Sequence, residues 1–148
     1  MNSEFTIAVH SLVYLAYLPD HMATSECIAR NVSTNPARIR KVMSCLKKNG
    51  FIATKEGIGG GYILNLDPME MNLGEIYRAL SCGSIKPSWL TGDPEGTCPV
   101  SSKIQPVMDQ VFEQAEDVLE TFLNSITIAS LLHRVKHHAD ELHIDRLL

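Results

Sequence analysis

From Asn35 to Leu64 the apolar period of the chain switches from that of a helix to that of strands, with no linker between them. Ile39, Val42, Met43 and Leu46 recur at i, i+3, i+4 and i+7, the stripe of an amphipathic helix whose opposite side is basic. Asn35 suits the capping position, Pro36 the first helical position, and Gly50 the left-handed residue that ends a helix. Phe51 to Lys55 and Tyr62 to Leu64 are short β-prone runs around Gly57, Gly59, Gly60 and Gly61, which predicts a hairpin. A basic helix joined directly to a glycine-tipped hairpin is the outline of a winged helix-turn-helix.

The formal charge of −4 over 148 residues averages two unlike parts. Residues 1–66 carry seven Lys/Arg against four Asp/Glu, net +3, whereas residues 67–148 carry six against thirteen, net −7. From Arg30 to Lys55 there are seven basic residues and no acid, the footprint of a polyanion-binding face. At 45% hydrophobic and 20% charged, the chain can bury one core with an extension, which argues against a disordered chain. Asn2, Ser3 and Glu4 stand where a signal peptide has its basic region, and the apolar runs fall short of the about 20 residues a membrane span needs. The expected location is the cytoplasm, with the four cysteines reduced at rest.

Phe5, Ala8, Val9, Leu12, Val13 and Ala16 predict a first helix that stops before Pro19. Thr24 or Ser25 can cap a short second helix with Cys27, Ile28 and Val32 inward, and a turn at Val32-Ser33-Thr34 leads into the basic helix. In that arrangement the second helix of the pair enters the major groove. Asn72 can cap a helix over residues 73–80, and residues 81–99 form a Gly/Pro-rich loop holding Trp89. From Ile104 to Ile126 apolar residues recur at threes and fours, a helix roughly 30 Å long whose stripe exceeds what a small domain covers. A second copy is the economical partner, and Pro106 should kink this helix or lie in its first turn. Asp109, Glu113, Glu116, Asp117 and Glu120 read as its solvated outer face. Thr127 can cap a last helix from Ile128 to about Val135, followed by a polar tail.

The segments FTIAVHSLVYLA, TNPARIRKVMSCLKKNGFI, EGIGGGYIL, NLGEIYRAL and CPVSSKIQ together resemble the Rrf2 family of bacterial transcription regulators over nearly the whole chain. The resemblance implies a homodimer in which each chain has a winged helix-turn-helix and a long dimerisation helix. Asn35-Pro36 and Cys98-Pro99-Val100 look most like a subgroup without an iron–sulfur cluster. Cluster-binding relatives place three cysteines at close spacing ahead of the long helix, whereas Cys82 and Cys98 stand sixteen apart, so no cofactor is expected. In the wing, Glu56 occupies the place where relatives often carry a basic residue, and Lys55 is the nearest substitute.

Candidate DNA contacts are Ser33, Thr34, Asn35, Arg38, Arg40, Lys41 and Lys48, with Lys55, Gly59, Gly60 and Tyr62 in the wing. A merely solvated basic face is the alternative, outweighed by the adjoining turn and wing. The glycines are not a phosphate cradle, because no Lys-Ser/Thr pair and no helix follow them. Cys98, ahead of a helix start, is a candidate thiol sensor able to pair with Cys27 or Cys82, or else a small packed residue. His133 and His137 lack a third ligand at metal spacing, so no metal site is expected.

The fold class expected is mainly α with a small β-hairpin wing. Residues 1–80 form the winged helix-turn-helix, 81–103 a loop and possible sensor region, and 104–148 the dimerisation and C-terminal helices. The function expected is a homodimeric repressor on double-stranded, palindromic DNA, with no membrane association and with an oxidant or small molecule as effector. The rival is a regulator acting through protein partners on the long acidic helix. An enzyme is not expected, since Cys98 has no evident general base.

Overall fold

The computed structural model describes residues 3–80 and 85–147, with side chains as far as Glu141. Cys82 and the side chain of His143 lie outside the described residues. The order is α1 (Ser3–Tyr17), β1 (Met22–Ala23), α2 (Ser25–Val32), α3 (Pro36–Lys48), β2 (Ile52–Lys55), β3 (Gly61–Leu64), α4 (Leu73–Ala79), α5 (Pro99–Asn124) and α6 (Ile128–Leu147). Among the described residues no helix is long and apolar enough to cross a membrane.

The capping residues act as the sequence predicts. Thr24 Oγ1 accepts from Cys27 N at 3.2 Å, Asn35 Oδ1 from Arg38 N at 2.9 Å, and Asn72 Oδ1 from Glu75 N at 2.9 Å. Each satisfies a donor that a helix start leaves without an intrahelical partner. Thr127 and Ser130 cap α6 reciprocally, Ser130 N donating to Thr127 Oγ1 and Thr127 N to Ser130 Oγ, both at 3.1 Å. Ser33 ends α2 in the left-handed region at φ 64°, which turns the chain into α3. On α3 the buried residues are Ile39, Val42, Met43 and Leu46, the expected stripe.

The hairpin is part of a three-stranded antiparallel sheet in the order β1-β3-β2. Its register pairs Ile52 with Leu64 and Lys55 with Gly61 on one side, and Ala23 with Tyr62 on the other. The two-residue strand β1 carries no periodic signal, and pairing with β3 alone makes it a strand.

The first helix is rotated from its expected face. Ile7, Ala8, Ser11, Leu12, Leu15 and Ala16 are buried, while Val9 and Val13 are only half-buried. Ser11 can lie inside because its hydroxyl donates to Ile7 O at 2.7 Å. One core joins α1, α2, α3 and α4 to the junction of α5 and α6 through Leu123, Ile126 and Ile128. Backbone bonds from Leu73 N to Ile126 O at 2.8 Å and from Ile128 N to Met71 O at 2.9 Å stitch that junction to the segment before α4.

Two helix bounds differ from expectation. Helix α5 begins at Pro99, five residues before Ile104, so Pro106 sits in its interior and not in its first turn. The proline removes one N–H from the ladder within a helix of 26 residues, about 39 Å at 1.5 Å per residue. Helix α6 runs to Leu147, well past Val135, and the residues read as a polar tail continue it. His137 and His138 there meet Glu141 at 3.3 and 3.5 Å, helical pairs one turn apart.

Candidate nucleic-acid interface

Helix α3 turns Ala37, Arg38, Arg40, Lys41, Ser44, Lys47 and Lys48 to solvent, opposite its buried stripe. The turn before it presents Ser33 and Asn35 exposed and Thr34 half-buried, with Thr34 N donating to Ala29 O at 2.9 Å. The turn and the solvent side of α3 thus leave these residues exposed or half-buried beside one another in the chain.

The tertiary structure adds acids that the uninterrupted basic run conceals. Arg40 Nη2 is 2.7 Å from Glu26 Oε1 of α2, and Lys41 Nζ is 2.5 Å from Glu4 Oε1 of α1. Arg38 donates to Ser3 Oγ, and Lys47 Nζ to Thr54 Oγ1 of the wing at 2.9 Å. The Glu26 backbone N–H and the Ser25 hydroxyl, and after them Arg40, hold the Glu26 carboxyl below the ordinary value. Glu26 and Glu4 are the residues sequence reading missed. Each lies in the first turn of its own helix, a position that local signals already explain. Exposed pairs of this kind are weak and salt-sensitive, so a phosphate can displace the carboxylate from the same guanidinium or ammonium. Lys48 and Lys55 are exposed with no ion-pair partner among the described residues.

In the wing, Glu56, Gly57, Ile58 and Gly59 project into solvent at the hairpin tip. Gly57 and Gly59 take φ of 91° and 76°, which glycine adopts without steric cost. Gly60 is half-buried, and any Cβ there would lie 2.1 Å from Lys55 O. Tyr62 is half-buried and packs against the core, so its ring supports the wing from behind.

Along α5 the expectation of a solvated acidic face is corrected. Glu116 accepts from the Tyr77 hydroxyl and from Ile85 N at 2.9 Å, Glu120 meets Arg78 at 3.0 Å, and Asp109 meets Lys86 at 2.8 Å. Lys86, and next Gln105, hold the Asp109 carboxyl below its usual value. Burial, and then the Glu116 carboxylate, push Tyr77 up to about 12. These carboxylates lie where α5 crosses α4 and the 85–98 loop, and only Glu113 and Asp117 of the five remain on an open face. A further open face of α5 is apolar: Val107, Val111, Val118 and Phe122 are 53, 49, 70 and 62% exposed.

Of the thiols, Cys45 is half-buried and donates to Ala79 O at 3.2 Å. Cys27 is half-buried on α2, and Cys98 is exposed at the N-cap of α5. The backbone N–H groups of Ser101 and Val100 hold the Cys98 thiol below its ordinary pKa. The described cysteines are free.

With this basic helix, wing and long helix in place, a family model described as "Iron-dependent Transcriptional regulator", Rrf2, matches residues 1–134. The chain belongs to the Rrf2 family. YwnA of Bacillus subtilis, whose name places it among HTH-type transcriptional regulators, is 32% identical over 138 residues, covering 91% of this chain and 98% of YwnA. A crystal structure of a Lactobacillus plantarum protein assigned as a transcriptional regulator superposes with TM-score 0.81 at 29% identity, covering 99% of this chain and 98% of that one. The structure of CymR from B. subtilis shares the fold at 21% identity, TM-score 0.67, over 90% of this chain and 96% of CymR. The Rrf2 chain is a transcriptional regulator and not an enzyme, and its winged helix domain with a long C-terminal helix is that of the solved Rrf2 structures.

The family description implies iron. Among the described residues no three His, Cys, Asp or Glu side chains converge as a metal set, and Cys27, Cys45 and Cys98 stand at three different helices. These donors do not fit a resident iron.

Proposed function

We propose that the chain is a homodimeric, sequence-specific repressor that reads palindromic duplex DNA through α3. The carrying observation is the row of exposed cations on α3 beside a wing. Arg38, Arg40 and Lys41 in the first half of α3, with Ser33, Thr34 and Asn35 in the turn, are the groups for bases and nearby phosphates. Lys48 and Lys55 contact phosphate. Backbone at Gly59 and Gly60 lets the wing tip approach the duplex closely, and Tyr62 positions it.

The exposed apolar face of α5 supports the dimer. Four large apolar side chains on one helix face have a use when a second copy covers them, and two-fold pairing sets two recognition helices at the spacing of a palindrome. Domain assignment follows the same division: residues 1–80 read DNA, 104–148 pair the chains, and 81–103 connect them. The rival reading of α5 as an acidic docking helix rests on Glu113 and Asp117, because Asp109, Glu116 and Glu120 are engaged within the chain.

Cys98, exposed and lowered in pKa at the start of the pairing helix, is proposed as a thiol sensor. Its thiolate attacks the O–O bond of a peroxide, yielding a sulfenic acid and releasing hydroxide; the sulfenic acid can condense with Cys27 or Cys82 with loss of water.

Selection of bound duplexes from a random pool, followed by band shifts with sedimentation of the free protein, tests the proposal. A palindromic consensus bound by a dimer is expected. Binding that ignores sequence, or a monomer at all concentrations, overturns it; a peroxide that leaves DNA affinity unchanged ends the thiol role alone.

A further inference from the structure

Helices α1 and α6 pack side by side yet leave between them a cavity of about 600 Å³. Its walls include the half-buried Val9, Val13 and Tyr14 of α1 and Leu131 and Leu132 of α6. Val9 and Val13, half-buried and packed against the edge of the main core, also face this cleft. Clefts of this size, apolar with a few convergent polar groups, are the form that small-molecule sites take.

The one fixed charge among the described lining residues is the Arg134 guanidinium. Arg134, His10 and His138 line it, and among the described residues no carboxylate does. Arg134 has no ion-pair partner among the described residues, whereas His138 is 3.5 Å from Glu141, outside the lining. His10 Nε2 is 2.9 Å from Asn31 Oδ1, which makes that nitrogen the donor and ties the cleft to α2. An apolar body fits the valine and leucine walls, and a negative head fits the guanidinium, whose planar donors match a carboxylate in two places.

We infer that the cleft between α1 and α6 is a binding site for an amphipathic organic anion, a carboxylate on an acyl or aromatic body, with Arg134 holding the charged end. The site lies near the DNA-reading turn. Thr6 and His10 also line a smaller cavity of about 270 Å³ together with Ser33, Thr34 and Arg38. An occupant of the larger cleft therefore touches side chains that also line a cavity shared with the turn and the start of α3. The site itself rests on the fold and stands whether or not the DNA assignment holds.

Calorimetric titration of the full chain with octanoate, against 1-octanol as the neutral control, tests it. Saturable binding of one octanoate per chain is expected, with octanol weaker by about tenfold or more, the range of a charge-assisted hydrogen bond. Arg134→Gln should weaken octanoate by a similar factor and leave octanol unchanged, and Val13→Trp should remove both by filling the cleft. Arg134 is exposed, so its variant keeps the test decisive if the tryptophan variant does not fold. No saturable octanoate binding up to several millimolar, equal binding by Arg134→Gln, or full binding by a folded Val13→Trp overturns the site. So does a Val13→Trp chain that loses its partner copy while the wild type ignores octanoate, since the cleft is then the seat of a second chain.

Discussion

Replacing Gly61 by alanine probes how the wing is fastened to the reading head. Gly61 has φ of 153°, and an added Cβ would lie 2.5 Å from Ala23 O, 2.8 Å from Ala23 C and 3.1 Å from Thr24 N. All three atoms are backbone, belonging to β1 and the cap of α2, so no side chain can rotate to make room. Gly59 is the internal control, with φ of 76° and nothing within 4 Å of its added Cβ. Gly59→Ala should cost only the left-handed backbone term, about 1–2 kcal/mol. Gly61→Ala should cost about 1–3 kcal/mol of backbone strain and about 1–3 kcal/mol of overpacking, so about 2–6 kcal/mol in all. The loss of unfolded-chain freedom is common to both changes and cancels in the comparison. Set against a typical total of about 5–15 kcal/mol, the larger loss is measurable by urea unfolding followed by circular dichroism. Gly61→Ala no more damaging than Gly59→Ala would refute the claim that close approach of the wing to β1 and the α2 cap holds this sheet together.

Arg40→Ala should weaken specific binding by about 1–3 kcal/mol if it reads a base, while Lys48→Ala should mainly reduce the salt dependence, by about one unit of slope; band shifts across salt concentrations separate them. Phe122→Asp should shift the chain toward monomer in sedimentation, because a charge on the exposed face of α5 cannot be buried unpaired in a dimer. Cys98 should be alkylated by iodoacetamide ahead of Cys45, and at a pH below that needed by an ordinary thiol, as read by mass spectrometry of timed digests. One tyrosine should ionise only near pH 12, and Tyr77→Phe should remove that step from the ultraviolet titration. Because the folded pKa of Tyr77 is raised, its contribution to stability is complete below the unfolded value of about 10 and is lost as pH rises through about 12.

The sequence by itself determined what depends on neighbours within about a turn of chain. Asn35, Pro36 and the Ile39–Leu46 stripe specify α3, and Gly50 its end, because caps and helical faces are set by residues three or four apart. The hairpin and its glycine tip were legible for the same reason, as was an apolar α5 longer than its own domain could cover. Where elements cross was not legible. Only the tertiary structure makes Met22-Ala23 a strand, since β3 supplies its partner. Only the crossing of helices brings Glu4 and Glu26 to cations 37 and 14 residues away, so a run with no acid in sequence has acids beside it in space. The same crossing draws Asp109, Glu116 and Glu120 into contact with Lys86, Tyr77 and Arg78, and places Val9 and Val13 on the cleft between α1 and α6. A periodic pattern says that a helix has a buried face, but the width of that face and its occupants depend on the angle at which the next helix arrives.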